Sequence, residues 1–186
     1  MKKLVALYGS PRRDGNSAKL LKSFLEGIKE SNIYEVTELF LRDLNISPCL
    51  EIYKCKTDGI CAINDKFQEI YSLIDNADCI ALASPVMFYA VSAHTKIFMD
   101  RCQAFWSRKY YLNIRSKEKK GLFFGVGATK GQKLFDGILM NVKYFFDALD
   151  AKLVETLLVR GADEKDDILK QPEMLERAKE IGRSLL

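Results

Sequence analysis

Apolar positions along the chain follow two alternating rhythms. Residues 3–8, KLVALY, form a β-rich apolar run. In residues 18–30, Leu20, Leu21, Phe24, Leu25 and Ile28 recur at helical spacing. Residues 33–41, IYEVTELFL, alternate as a half-buried strand would. Residues 42–64 follow neither rhythm. The segment 65–77 then predicts a helix with Phe67, Ile70, Leu73 and Ile74 on one face. Residues 78–83, DCIALA, form the continuous apolar run of a strand covered on both sides.

The second half repeats the scheme. SPVMFYAVSA reads as a loop and HTKIFMDRCQAFW as a helix. GLFFGVG is a second buried strand, and residues 131–149 make a long amphipathic helix. AKLVETLLV is the last strand, and residues 172–186 form a closing helix with Pro172 in its first turn. Strands and helices alternating in this way predict a parallel sheet with helices on both faces. Five strands and five helices fit the flavodoxin-like member of the doubly wound α/β class, with strand order 2-1-3-4-5. No internal repeat and no Pro/Gly linker divides the chain. The expectation is a single domain over residues 1–186, with an insertion at about 42–64.

Composition narrows the picture. The 186 residues are 48% hydrophobic and 29% charged, an ordinary water-soluble balance. A net charge of +4 is too small to indicate nucleic acid. No apolar stretch is long enough to span a bilayer. The basic, apolar start MKKLVALYGSPRR ends in a charged turn without a small-residue cleavage site, so it reads as a first strand and the expected location is cytoplasmic. Five cysteines, an odd number without an export signal, indicate reduced thiols.

In such sheets ligands sit beyond the carboxyl ends of the strands. Three strand ends, 9–17, 84–92 and 126–132, concentrate Gly, Ser, Asn, Thr and Pro. The first, GSPRRDGNS, lies between a strand and a helix. A phosphate monoester needs several donors, little bulk and a favourable field, and a helix N-terminus supplies free N–H groups and a positive dipole end. Ser10, Asn16 and Ser17 add short donors, and Arg12 can add a charge-assisted pair. The competing reading is that Asn16 and Ser17 only cap the helix while Arg12 and Arg13 are solvated. No Gly-Lys-Ser/Thr follows, so this is no Walker A loop. GVGATKG at 125–131 misses the dinucleotide fingerprint by one residue.

Together GSPRRDGNS, SPVMFYAVSAHTKIFMDR and GVGATKG resemble the NAD(P)H-dependent FMN reductase and iron-sulfur flavoprotein superfamily. The resemblance implies FMN as cofactor and NAD(P)H as co-substrate. It assigns Ser10, Arg12, Asn16 and Ser17 to the FMN phosphate. Pro85, Val86, Met87 and Phe88 would run along the isoalloxazine edge with their backbone N–H groups toward the pyrimidine end. Ala128, Thr129 and Gly131 would close the far side. It further implies a homodimer or homotetramer and electron delivery to a quinone, another small acceptor or a redox protein, with no membrane or nucleic-acid partner. The alternative is an FMN-binding electron-transfer protein without pyridine-nucleotide activity. Hydride transfer asks orientation and water exclusion of the protein, so no catalytic side chain is assigned.

The cysteine stretch departs from the family. Iron-sulfur flavoproteins resemble Cys-x2-Cys-x2-Cys followed by a fourth cysteine. Cys49, Cys55 and Cys61 match the first, third and fourth positions, and Ile52 stands at the second. Three thiolates fall short of a cubane cluster or a cysteine-only zinc site, so neither an iron-sulfur cluster nor a metal site is expected. A redox-active or metal-scavenging thiol pair is the remaining option. His94, the single histidine, is expected to cap or face solvent. The basic segment 107–120 is read as a solvated loop, or else as a docking surface for nicotinamide phosphates or an acidic partner.

Overall fold

The computed structural model describes residues 1–186. Five parallel strands, β1 (Lys2–Tyr8), β2 (Tyr34–Phe40), β3 (Cys79–Pro85), β4 (Lys119–Gly127) and β5 (Ala151–Arg160), form one sheet in the order β2-β1-β3-β4-β5. This is the expected flavodoxin-like arrangement, with its reversal of strand order beside β1.

The period of two in each strand sorts side chains onto the two faces. Leu4, Ala6 and Tyr8 of β1 point to one core with Leu122, Phe124 and Val126 of β4. That core is covered by α1 (Asn16–Ser31) and α7 (Pro172–Ser184), whose Leu20, Leu21, Phe24, Ala178 and Ile181 are buried. Val5, Leu7, Ile80, Leu82 and Phe123 point to the other core. It is covered by α3 (Phe67–Asn76), α4 (Ala93–Arg101), α5 (Gln103–Tyr110) and α6 (Asp136–Ala148). Both faces of the central strands are dry, which is why they read as continuous apolar runs.

The α1–α7 crossing is tight. A Cβ placed on Gly27 would stand 2.9 Å from the Arg183 nitrogen, and one on Gly182 would stand 2.9 Å from the Ile28 nitrogen. The two backbones meet with no side chain between them.

Two expectations are corrected. The helix predicted over 94–106 is two helices. At Cys102 the N–H is shared between the Phe98 and Met99 carbonyls, at 3.2 and 3.0 Å, and the axis restarts as α5. The helical rhythm of apolar residues continues through this break, so periodicity does not reveal it. The basic segment is also not a solvated loop throughout. Residues 107–110 belong to α5, and β4 begins at Lys119, which is 2% exposed and donates to the Lys117 and Leu149 carbonyls. The insertion opens on a 3-10 turn at Leu41–Asp43 and holds one α-helical turn, α2 (Cys55–Asp58). No helix is long and apolar enough to cross a membrane.

Candidate functional site

β1 ends at Tyr8, whose ring stacks on Phe40 at 4.3 Å and whose hydroxyl donates to Glu38. Burial, and then that carboxylate, push the phenol pKa far up. The strand end is therefore rigid where the first loop departs. The Gly9 N–H donates to the Ala83 carbonyl at 2.7 Å, and the Gly9 carbonyl accepts from the hydroxyls of Ser92 and Thr95. Ser92 also caps α4 by accepting from the Thr95 N–H. The first and second loops are thereby held against each other. His94 is half-buried beside this cap and takes no part in it.

Within the first loop the two arginines separate. Arg13 pairs with Asp43 at 2.8 Å and lies over the Phe40 ring, and Arg42 donates to the Pro11 carbonyl. Arg12 instead lines a cavity of about 300 Å³. Ser10 accepts the Arg12 N–H at 3.0 Å, which leaves its own O–H to donate. α1 starts after Gly15 with no side-chain cap, so its first-turn N–H groups face the cavity without a side-chain acceptor. A Cβ on Gly15 would stand 2.9 Å from Ser10 Oγ and fill this cradle. Uncapped amides, two buried serines and an unpaired guanidinium form the donor set that a phosphate monoester requires.

Ser10, Arg12, Asn16 and Ser17 line the cavity together with Pro85, Val86 and Met87 of the second loop and Ala128 of the third. Phe88, Thr129 and Gly131 do not line it. Gly131 serves the backbone instead, its carbonyl accepting from the Leu134 N–H and from Arg160. The expected row of second-loop amides is also reduced. Pro85 has no N–H, the Val86 N–H is bonded to the Val126 carbonyl at 2.8 Å, and the Met87 N–H to the Ala90 carbonyl at 2.9 Å. Met87 and Ala90 close a two-residue turn in which Phe88 and Tyr89 both have positive φ, 48° and 62°. Phe88 is fully exposed at its tip.

Asn16 has a role the sequence does not announce. Its amide donates to the Ala162 carbonyl at 3.3 Å and the Glu164 carbonyl at 2.9 Å, and its oxygen accepts from the Ile168 N–H at 3.3 Å. The side chain thus fastens the loop after β5 to the start of α1, and only the Asn16 backbone remains for an anion. That loop supplies Ala162 and Asp163 to the cavity, two wall residues that sequence reasoning missed. The only signal for them was the turn-like GADE that follows the last strand.

A parallel sheet in this order, with an anion cradle on its first loop and a flat apolar wall from its third strand, defines a flavodoxin-like flavin protein. Residues 2–158 match the family model described as NADPH-dependent FMN reductase, and the chain belongs to that family. It is an FMN-dependent oxidoreductase by that membership. It is 37% identical over 161 residues to an iron-sulfur flavoprotein of Methanocaldococcus jannaschii, covering 86% of this chain and 76% of the relative. Against three further iron-sulfur flavoproteins it spans 44% to 66% of their lengths. Among solved structures it superposes on an NAD(P)H:quinone oxidoreductase from Methanothermobacter marburgensis with a TM-score of 0.74, at 21% identity, over 97% of this chain and 94% of that one. An FMN-dependent NADH-azoreductase from Bacillus anthracis, in complex with FMN, superposes with a TM-score of 0.67 at 15% identity, over 98% of both chains.

Four of the six cations of the basic segment are paired within the chain. Arg108 pairs with Asp75 at 3.0 Å, Lys109 with Asp147 and Asp150, Arg115 with Asp150, and Lys117 with Asp78. The carboxylates lie 33 to 41 residues away in sequence, so charge patterning along the chain could not reveal the pairing.

Proposed function

We propose that this chain takes hydride from NAD(P)H and delivers the electrons to a quinone, another small acceptor or a redox protein. When bound, FMN supplies the redox chemistry. Ser10, Arg12, Ser17 and the first-turn amides of α1 hold its phosphate. Pro85, Val86 and Met87 flank its ring system, with Ala128 on the opposite wall. The amide of Phe88, which no protein carbonyl engages, is the second-loop donor left for the polar end of the ring. The side chains bind, orient and exclude water, and none needs to exchange a proton.

The observation that carries this reading is the uncapped start of α1 beside the unpaired Arg12. The pure electron-carrier reading draws on the basic segment and the cysteine stretch as docking surfaces; the ion pairs of the basic segment weaken it as a dock for an acidic partner and for nicotinamide phosphates alike. The test is anaerobic addition of NADH or NADPH to FMN-loaded protein. Bleaching of the flavin band at a rate that saturates with nucleotide is expected, with reoxidation by added quinone. An unbleached flavin that a reduced ferredoxin readily reduces would instead establish the carrier.

A further inference from the structure

We infer that the cysteine-bearing insertion folds without an iron-sulfur cluster, around a buried arginine clasp that does the tying a cluster would do. The inference is independent of which acceptor the flavin serves.

Arg101, whose side chain is fully buried, reaches from the end of α4 into the insertion. One terminal nitrogen donates to the Ser47 carbonyl at 2.9 Å and to Asp65 at 2.5 Å. The other donates to Asp65 at 3.0 Å and to the Ile63 carbonyl at 3.3 Å. The guanidinium also lies over the Phe67 ring. Asp65 in turn accepts from the N–H groups of Ser47 and Phe67. One bidentate ion pair thus joins both ends of the insertion to the helix layer. Between those ends, Gln68 donates to the Cys61 and Ile63 carbonyls, and Tyr71 donates to the Gly59 carbonyl. The irregular backbone finds its partners in α3 and α4.

The three thiols do not gather at one centre. Cys61 stands near the Arg101 guanidinium, whose Nε is buried without a hydrogen-bond partner. The Cys55 sulfur accepts from the Ser107 hydroxyl at 3.5 Å. Ile52, at the position of the missing ligand, is 58% exposed. No three Cys, His, Asp or Glu side chains in the chain come together as a metal site. A cubane cluster normally takes four thiolates. Here Cys49 and Cys55 line one cavity, Cys61 stands outside its lining, and the loop they sit on is already fastened.

Two measurements on the full-length, FMN-loaded protein test this. Anaerobic reconstitution with ferrous iron and sulfide, followed by desalting, should leave fewer than about one iron per chain; about four, with matching sulfide, would overturn the inference. The variant C49S/C55S/C61S should keep the melting temperature, flavin content and protease resistance of the wild type. Asp65→Asn should open residues 47–66 to limited proteolysis while flavin remains bound. Cleavage within 47–66 in the triple serine variant, with Asp65→Asn as resistant as the wild type, would overturn the clasp.

Discussion

At the scale of single residues, neighbours in sequence have separate tasks. Arg12 and Arg13 are chemically identical, yet one lines the cradle and the other is paired with Asp43. Arg12→Ala is expected to raise the FMN dissociation constant by about tenfold or more, since a charge-assisted hydrogen bond contributes roughly 1.5–3 kcal/mol. Arg13→Ala should leave it within about twofold, because an exposed ion pair contributes little. Fluorescence titration of the apoprotein with FMN distinguishes the two, and equal losses would refute the assignment. Asn16→Ala removes three hydrogen bonds to the loop after β5 and leaves buried backbone groups unpartnered. A loss of about 2–3 kcal/mol in urea unfolding is expected. The sequence identified Asn16 as a residue of this site but not its task, because its partners lie 146 to 152 residues away.

At the scale of elements, the turn at Met87–Ala90 places two bulky residues where asparagine and glycine are the usual occupants. A left-handed conformation costs a non-glycine residue roughly 1–2 kcal/mol. Replacing Phe88-Tyr89 by Asn-Gly should therefore raise the melting temperature. If the exposed ring of Phe88 serves substrate or partner, the same variant should lose turnover with NAD(P)H and acceptor. A stabilised variant with full turnover would make the aromatic pair dispensable. Much of this level was legible beforehand. The strand–helix order, the sheet topology and the clustering of polar small residues at three strand ends all followed from periodicity and turn chemistry. The break at Cys102 was not legible, because the apolar rhythm runs on through it. Nor was the engagement of the Val86 and Met87 amides, which depends on backbone partners brought in by folding.

For the whole molecule, long-range ion pairs tie the insertion to α4, α3 to α5 and α5 to α6. Asp65, Asp75, Asp147 and Asp150 all have carboxyl pKa values below the ordinary 3.8. Burial pushes each upward, and hydrogen bonds outweigh it: from Arg101 to Asp65, from the Ser116 hydroxyl and Arg108 to Asp75, from the Tyr110 hydroxyl and Lys109 to Asp147, and from the Ser116 N–H and Arg115 to Asp150. Groups depressed in this way stabilise the fold fully above the unfolded carboxylate value, and the contribution is lost as pH falls through the folded values. The urea midpoint should therefore gain nothing from these groups between pH 7 and 5 and should fall below about pH 4. A midpoint that held steady down to pH 3 would show that they are not coupled to folding.

The bare crossing at Gly27 and Gly182 gives the C-terminal helix a mechanical role. With no side chain to cushion them, α1 and α7 can tilt only as a pair. The cradle lies at the tip of α1, eleven residues or about 16 Å from the crossing. A load hung on the C-terminus, such as a fused domain that levers α7, would reach the flavin phosphate as strain along one rigid strut.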